Sequence, residues 1–366
     1  MSSSRALWVR VVGLALLLGG GMVADAAIPQ AGPLLGPDGI ENGSVSRSSG
    51  SDLPAALQRI RRNADVIWVG YSVPAVSADS GMCCMHEDDH GDRVCGVCSL
   101  DRERNFHWNT AREDDAVVLE PPAAIRVMLR FEGGELDRVA TFKSSCTIDA
   151  TGQNVTWLDD VAAAESLAWL VDVAETGGEH EDGAVAAVAM HAGPAALARV
   201  VGWAEGRHPR KLREQAIFWL GAERSQEGWS TIARLARSDP DDTIRDRAVF
   251  AAHISEQPEA VDLLIQIARQ DESIPTRRSA LMWLGHRAGE RATAALENAL
   301  DDPDTEIKRA AVFGLSQLPV DEGVPLLIRI ARTHDNPEVR KQALFWLGQS
   351  GDPRALDLIE EILLGG

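Results

Sequence analysis

LREQAIFWLG (212–221), IRDRAVFAAH (244–253), TRRSALMWLG (276–285), IKRAAVFGLS (307–316) and VRKQALFWLG (339–348) are five versions of one segment. Their central alanines, Ala216, Ala248, Ala280, Ala311 and Ala343, recur at spacings of 32, 32, 31 and 32 residues. A fixed period in this range marks a solenoid, in which each unit buries its apolar face against its neighbours. Such arrays usually serve to bind partners.

Each unit reads as helix, turn, helix, turn. The first helix carries a five-residue apolar block, such as Ala216 to Leu220. A block wider than one stripe implies a helix covered on several sides. The second helix carries a motif like TIARLA (231–236), and Asp-Pro or Asn-Pro pairs at Asp239, Asp302 and Asn336 mark turns. Three residues after the key alanine stand Trp219, Ala251, Trp283, Gly314 and Trp346, and two further on Gly221, His253, Gly285, Ser316 and Gly348. Alternating bulk at facing positions lets layers interdigitate, so these tryptophans are read as core. Three residues before each alanine stands a cation: Arg213, Arg245, Arg277, Lys308 and Arg340. The turns supply Asp239, Asp241, Asp242, Asp271, Asp301 and Asp304 close by, which favours an inter-repeat ladder over an anion-binding stripe. A second set, Arg237, Arg269 and Arg332, ends the second helices and is the candidate partner surface, on the expectation that second helices line the concave face.

The R-x-x-A block at this period, with its D-P turns, resembles the short bacterial HEAT-like repeats associated with phycobilisome lyases. The resemblance covers about residues 200–366 and implies an α-solenoid of about five strict and one or two degenerate helical hairpins. Proteins of this architecture include adaptors, bilin lyases and deoxyhypusine hydroxylase. That last enzyme holds two irons with His-Glu dipeptides on repeated helices. No His-Glu occurs in the strict repeats here, and His208, His253, His286 and His334 lack that partner. Its chemistry is not implied.

Upstream, Arg5 and Arg10 precede an apolar stretch over residues 11–23, and Ala24-Asp-Ala26 offers a small-x-small cleavage site. The stretch is shorter than the roughly 20 residues that span a bilayer. Residues 1–26 therefore read as a signal peptide, giving an exported protein, periplasmic or extracellular, with no integral membrane segment after cleavage. Residues 27–52 are rich in Gly, Pro and Ser and read as a disordered linker. Residues 53–160 read as a small mixed, β-rich, cysteine-containing domain: a helix from Leu53, a buried strand from Val66, a hairpin with one buried face around Gly133-Gly134, and an edge strand from Gln153 to Leu158. Residues 161–366 are the solenoid. A formal charge of −19 disfavours nucleic acid or an anionic membrane as partner.

Four cysteines, Cys83, Cys84, Cys95 and Cys98, lie within 16 residues of one another beside His86 and His90. These six are candidate ligands for zinc or another divalent cation. In an oxidising compartment the same four cysteines, with Cys146, more often form disulfides. Five is odd, so at least one thiol is left over in a monomer; either Cys146 is that thiol or it ties the hairpin to one of the four. His86-Glu-Asp-Asp-His90 satisfies H-E-x-x-H, but Gly91-Asp92 follows, no apolar helical pattern surrounds it, and Arg93 stands where the extended motif needs glycine.

The expected function is a non-catalytic, exported scaffold or adaptor without a cofactor, binding a protein through the solenoid surface. The alternative is a metal-dependent enzyme centred on residues 83–98, or an oxidoreductase by analogy with HEAT-repeat hydroxylases. The array ends on IEEILLGG (359–366) without a polar capping unit, so self-association through that end is a further expectation.

Overall fold

The computed structural model describes residues 35–62, 65–77, 85–87, 93–95, 98–100, 123–144, 146–178, 180–255, 257–287 and 289–364. Its strands are β1 (Ile40–Glu41), β2 (Ser44–Ser49), β3 (Val66–Pro74), β4 (Met85–Glu87), β5 (Arg93–Cys95), β6 (Cys98–Ser99), β7 (Ala124–Glu132), β8 (Glu135–Lys143), β9 (Ile148–Asp149) and β10 (Asn154–Asp159). Helices α1 (Leu53–Ile60), α2 (Ala163–Thr176), α3 (Glu181–Met190) and α4 (Pro194–Glu205) lead into the strict repeats. These pair α5 (Arg210–Ala222) with α6 (Ser225–Ser238), α7 (Asp242–Ile254) with α8 (Ala260–Gln270), and α9 (Ile274–Gly285) with α10 (Glu290–Ala299). The last two pairs are α11 (Thr305–Ser316) with α12 (Val320–Thr333), and α13 (Pro337–Ser350) with α14 (Pro353–Leu364).

The main sheet has the order β2-β10-β3-β7-β8, parallel across its first two pairings and antiparallel across the last two. Gly133 and Gly134, at φ of 58° and 84°, make the two-residue turn between β7 and β8, where a side chain would be strained. Three expectations are corrected. Residues 40–49, read as linker, contain β1 and β2; the serine-rich β2 has no apolar alternation because its backbone, not its side chains, holds it to β10. For the same reason β10 lies inside the sheet and not at its edge. The hairpin has two buried faces instead of one: Val69, Tyr71, Ile125, Val127 and Leu129 face the helices, while Trp68, Met128, Val155 and Trp157 pack on a second core with Cys98, Cys146 and Ile148. Gly70 permits that second layer, since a Cβ there would lie 2.7 Å from Met128 Sδ and 2.9 Å from Trp157 Cε3. Cys98 and Cys146 are both disulfide-bonded, so Cys146 is not the leftover thiol.

The first core runs without a break from the sheet to Leu358 of α14, within the compact unit Gly32–Gly366. Residue 160 is thus a change of secondary structure, not a gap between cores. Helix α3 sits directly on β8, where Gly183 leaves no room: a Cβ would fall 2.0 Å from the Val139 carbonyl oxygen.

Within the array, successive first helices (α5, α7, α9, α11, α13) pack along one another, whereas successive second helices touch only lightly. The more closely packed layer is the inner one, so the first helices line the concave face. This reverses the expectation that placed the second helices there. The alternation of bulk has a physical basis in the same layer. Gly221 meets Ala251 and Gly285 meets Gly314 at backbone contact, while Trp283 stacks on His253 with ring centroids 4.4 Å apart.

In the first three units the ladder cation binds both to the preceding unit and to its own turn, whereas Arg340 donates to the preceding turn, to His334 O at 2.6 Å and Asp335 O at 3.0 Å. Arg213 donates to Ala204 O at 3.0 Å and to Asp239 at 2.5 Å. Arg245 donates to Asp239 O at 2.9 Å and grips Asp271 at 2.9 and 3.0 Å. Arg277 donates to Ala268 O at 2.7 Å and to Asp302, the position taken in place of Asp301 or Asp304. These carboxylates also cap the turns, as Asp239 does by accepting from Asp241 N at 3.0 Å. In the fourth turn His334 replaces the aspartate, and its Nδ1 accepts from Asn336 N at 3.1 Å. Asp241, Ser273, Asp304 and Asn336 are the N-caps of their helices.

Candidate functional site

The concave layer holds two contiguous depressions, of about 520 and about 390 Å3, which share Asp246, Ser279 and Met282. Both are lined by first-helix residues alone. The position two residues after the key alanine gives Phe250, Met282 and Phe313 to their lining, and across the five units it reads Phe218, Phe250, Met282, Phe313 and Phe345. None of these five is buried, and Phe345 is 54% exposed. The apolar block is thus not wholly core: its first and fifth residues are buried in every unit and its second in all but the last, while the third stays in contact with solvent. Within the row Phe218 stacks on Phe250 at 6.2 Å, and two members meet tryptophans of the next unit, Phe250 against Trp283 at 5.0 Å and Phe313 against Trp346 at 5.1 Å.

Polar groups rim these depressions. Glu214 and Asp246 stand on α5 and α7, Arg278 and Arg309 on α9 and α11. Burial pushes the Asp246 carboxyl up from the ordinary aspartate range, although a Ser279 hydrogen bond and Arg247 oppose the shift. Asp246 Oδ1 and Trp346 Nε1 have no hydrogen-bond partner among the described residues. The groove therefore offers apolar surface and charges of both signs. The signal for it was in the sequence, as a phenylalanine or methionine in every unit.

The second-helix arginines have other work. Arg237 donates to Gln266 of the next second helix at 2.9 Å, and Arg332 grips Glu361 of α14 at 2.9 and 2.6 Å. Arg269 borders a separate depression between α8, α9 and α10, beside Arg277 and Asp302. The structure does not bring the three together with the groove.

Of the cysteine cluster, Cys83, Cys84 and His90, and the side chains of His86 and Cys95, lie outside the described residues. The backbone of His86 and Glu87 is in β4, paired with Val94 and Arg93 of β5. A strand alternates faces, so the one-face helical spacing that H-E-x-x-H requires does not apply. Among the described residues no group of three or more His, Cys, Asp or Glu side chains could hold a metal ion, and no helix is long and apolar enough to cross a membrane.

One polar cluster was not legible from spacing. Ser166 Oγ donates to the Tyr71 phenol at 3.1 Å and lies 2.9 Å from His191 Nε2, with all three residues buried. Arg224 closes the cluster, donating to Ala189 O at 2.7 Å and to His191 O. With the Ser166 proton committed to Tyr71, His191 is the donor to Ser166. Buried among helices and sheet, these groups tie α2, α3 and β3 together and have no access to substrate. Burial, then the Arg224 charge, pushes the His191 pKa down to about 4. Because the unfolded chain binds the proton more tightly, this stability is present above pH ~6.5 and lost as pH falls towards 4. The expected loss between pH 7 and 4 is about 3 kcal/mol from this residue. Urea midpoints measured across that range should fall less steeply in His191→Gln than in wild type; parallel curves would refute the assignment.

The geometry defines a curved α-solenoid with a groove on its inner face. Its repeats are HEAT-like: the family of HEAT repeats matches residues 198–285, 261–318 and 293–365. No curated protein matches the chain. Among solved structures, the CpcE–CpcF complex of phycocyanin lyase from Nostoc sp. PCC7120 is similar, at 23% identity over 42% of this chain and 98% of that one, TM-score 0.32. A designed armadillo repeat protein in complex with the peptide (KR)4 is 18% identical over 52% of this chain and 90% of that one, TM-score 0.31. Human deoxyhypusine hydroxylase is 19% identical over 55% and 74%, TM-score 0.24.

Proposed function

We propose that this protein is an exported, non-catalytic scaffold that holds a protein partner along its concave groove. The observation that carries the reading is the row Phe218, Phe250, Met282, Phe313 and Phe345, one large apolar side chain per unit, left in contact with solvent on the inner face. A contiguous apolar strip rimmed by charge is the signature of an interaction surface. Export is supported by the N-terminal pattern of Arg5, Arg10 and the Ala24-Asp-Ala26 site, and by the disulfide bonds of Cys98 and Cys146, which persist in oxidising compartments.

One preparation tests both parts. Protein recovered from the cell envelope of the producing host should begin at Ala27. The tagged wild-type chain should retain a partner that Phe250→Glu with Phe313→Glu loses, while Arg237→Ala on the outer layer retains it. An intact N-terminus in the cytoplasmic fraction would overturn export. Retention by the groove variant and loss by the outer-layer variant would overturn the groove.

A further inference from the structure

We infer that the groove takes one extended peptide segment with a basic end, an apolar middle and an acidic end, its basic end lying over α5 and α7. This rests on the groove being the partner surface. The position two residues before each key alanine changes sign along the array: Glu214 and Asp246, then Arg278, Arg309 and Lys341. Neighbouring charges do not erase the change. At the acidic end Lys211 turns away to α3, 2.7 Å from Asp182 and 3.5 Å from Glu181, and Arg247 lies 3.8 Å from Glu214. At the basic end Arg278 and Arg309 share the single carboxylate of Glu306, at 3.9 and 3.1 Å. Both side chains are about half exposed, at 51% and 45%, and so remain open to a second anion.

This distribution is not what composition alone gives, because the chain has 55 acidic and 36 basic residues. The sign change supplies direction as well as attraction, since a uniformly charged segment would meet like charge at one end. Between the ends, Phe250, Met282 and Phe313 offer apolar contact at the interval of the units. With packed helices about 8–10 Å apart and an extended chain rising about 3.3 Å per residue, α5 to α13 spans roughly a dozen residues.

The probe is a labelled dodecapeptide with two lysines at one end, alternating leucine and serine in the middle and two aspartates at the other. It is made in both orders, with all-lysine-ended and all-aspartate-ended versions for comparison. Fluorescence anisotropy on the full chain should give a bipolar peptide, in at least one order, an affinity at least about tenfold above either uniform peptide. Glu214→Lys should move the preference to the aspartate-ended peptide, and Arg278→Glu with Arg309→Glu to the lysine-ended one. Equal binding of a uniform peptide, or no binding of any, overturns the inference. If a uniform peptide binds best and Phe250→Glu abolishes that binding, the groove reading stands and the charge polarity falls. If Phe250→Glu and Phe313→Glu leave every peptide's affinity unchanged, the groove reading itself falls. Sedimentation revealing a dimer that these variants dissociate would make the occupant a second copy and overturn the inference.

Discussion

Lys143→Met is expected to lower the unfolding free energy by about 3–5 kcal/mol, and Glu223→Leu by a similar amount. Lys143 ends β8 and Glu223 follows α5; their charged atoms are 3.0 Å apart, and the two side chains are 5% and 4% exposed. The pair joins the sheet to the first strict repeat across the continuous core. In that setting the loss of one partner strands an uncompensated charge, which costs more than the pair itself contributes. The double variant Lys143→Met with Glu223→Leu should therefore recover most of the loss, because both desolvation penalties vanish together. Urea unfolding of the wild type, the two single variants and the double variant gives the four free energies needed. Single losses below about 1 kcal/mol would mean that water screens the pair as at a surface. A double variant as unstable as the sum of the singles would mean that packing, not charge, holds this junction.

Such a pair illustrates where sequence reading stops. The repeat was legible because the same side chains recur at a fixed spacing, and the ladder followed because each turn brings its aspartate to a predictable place. Lys143 and Glu223 belong to different architectures and share no period, so nothing local announces their meeting. The same holds for Tyr71, Ser166 and His191, which only the packing of α2 and α3 on β3 brings together. Strand β2 failed for another reason: Ser44 to Ser49 is held by backbone hydrogen bonds to β10, and side-chain patterning carries no trace of that. The groove was a misreading of a visible signal. The width of the five-residue apolar block implies a helix covered on several sides, although its third position is a phenylalanine or methionine in every unit while the position after it alternates between large and small. A core position in alternating layers would be expected to alternate too; the constancy of the third position fits a surface shared by all units.

That alternation leads to the sharpest contrast available in this chain, between two glycines at equivalent positions. Gly285→Ala is expected to destabilise by about 3 kcal/mol, whereas Gly348→Ala should stabilise by about 0.5–1 kcal/mol. A Cβ on Gly285 would lie 2.4 Å from Gly314 O and 2.7 Å from Gly314 Cα, so the obstacle is backbone and no rotamer change relieves it. Helices α9 and α11 would have to move apart, opening the layer that Leu281 and Leu284 fill. Gly348, in the last unit, has nothing within 4 Å of its would-be Cβ, so alanine there only removes the entropy cost of glycine in a helix. Thermal and urea unfolding of the two single variants should therefore shift in opposite directions. Gly314 and Ala251 are small because the glycine of the preceding unit meets them at backbone distance, and Trp283 and Trp346 are large because His253 and Ser316 stand at the corresponding position below them. On this account the second period is a two-unit packing code, tight and open junctions in turn. If Gly285→Ala proves as benign as Gly348→Ala, the contact between α9 and α11 is not tight and the code is wrong.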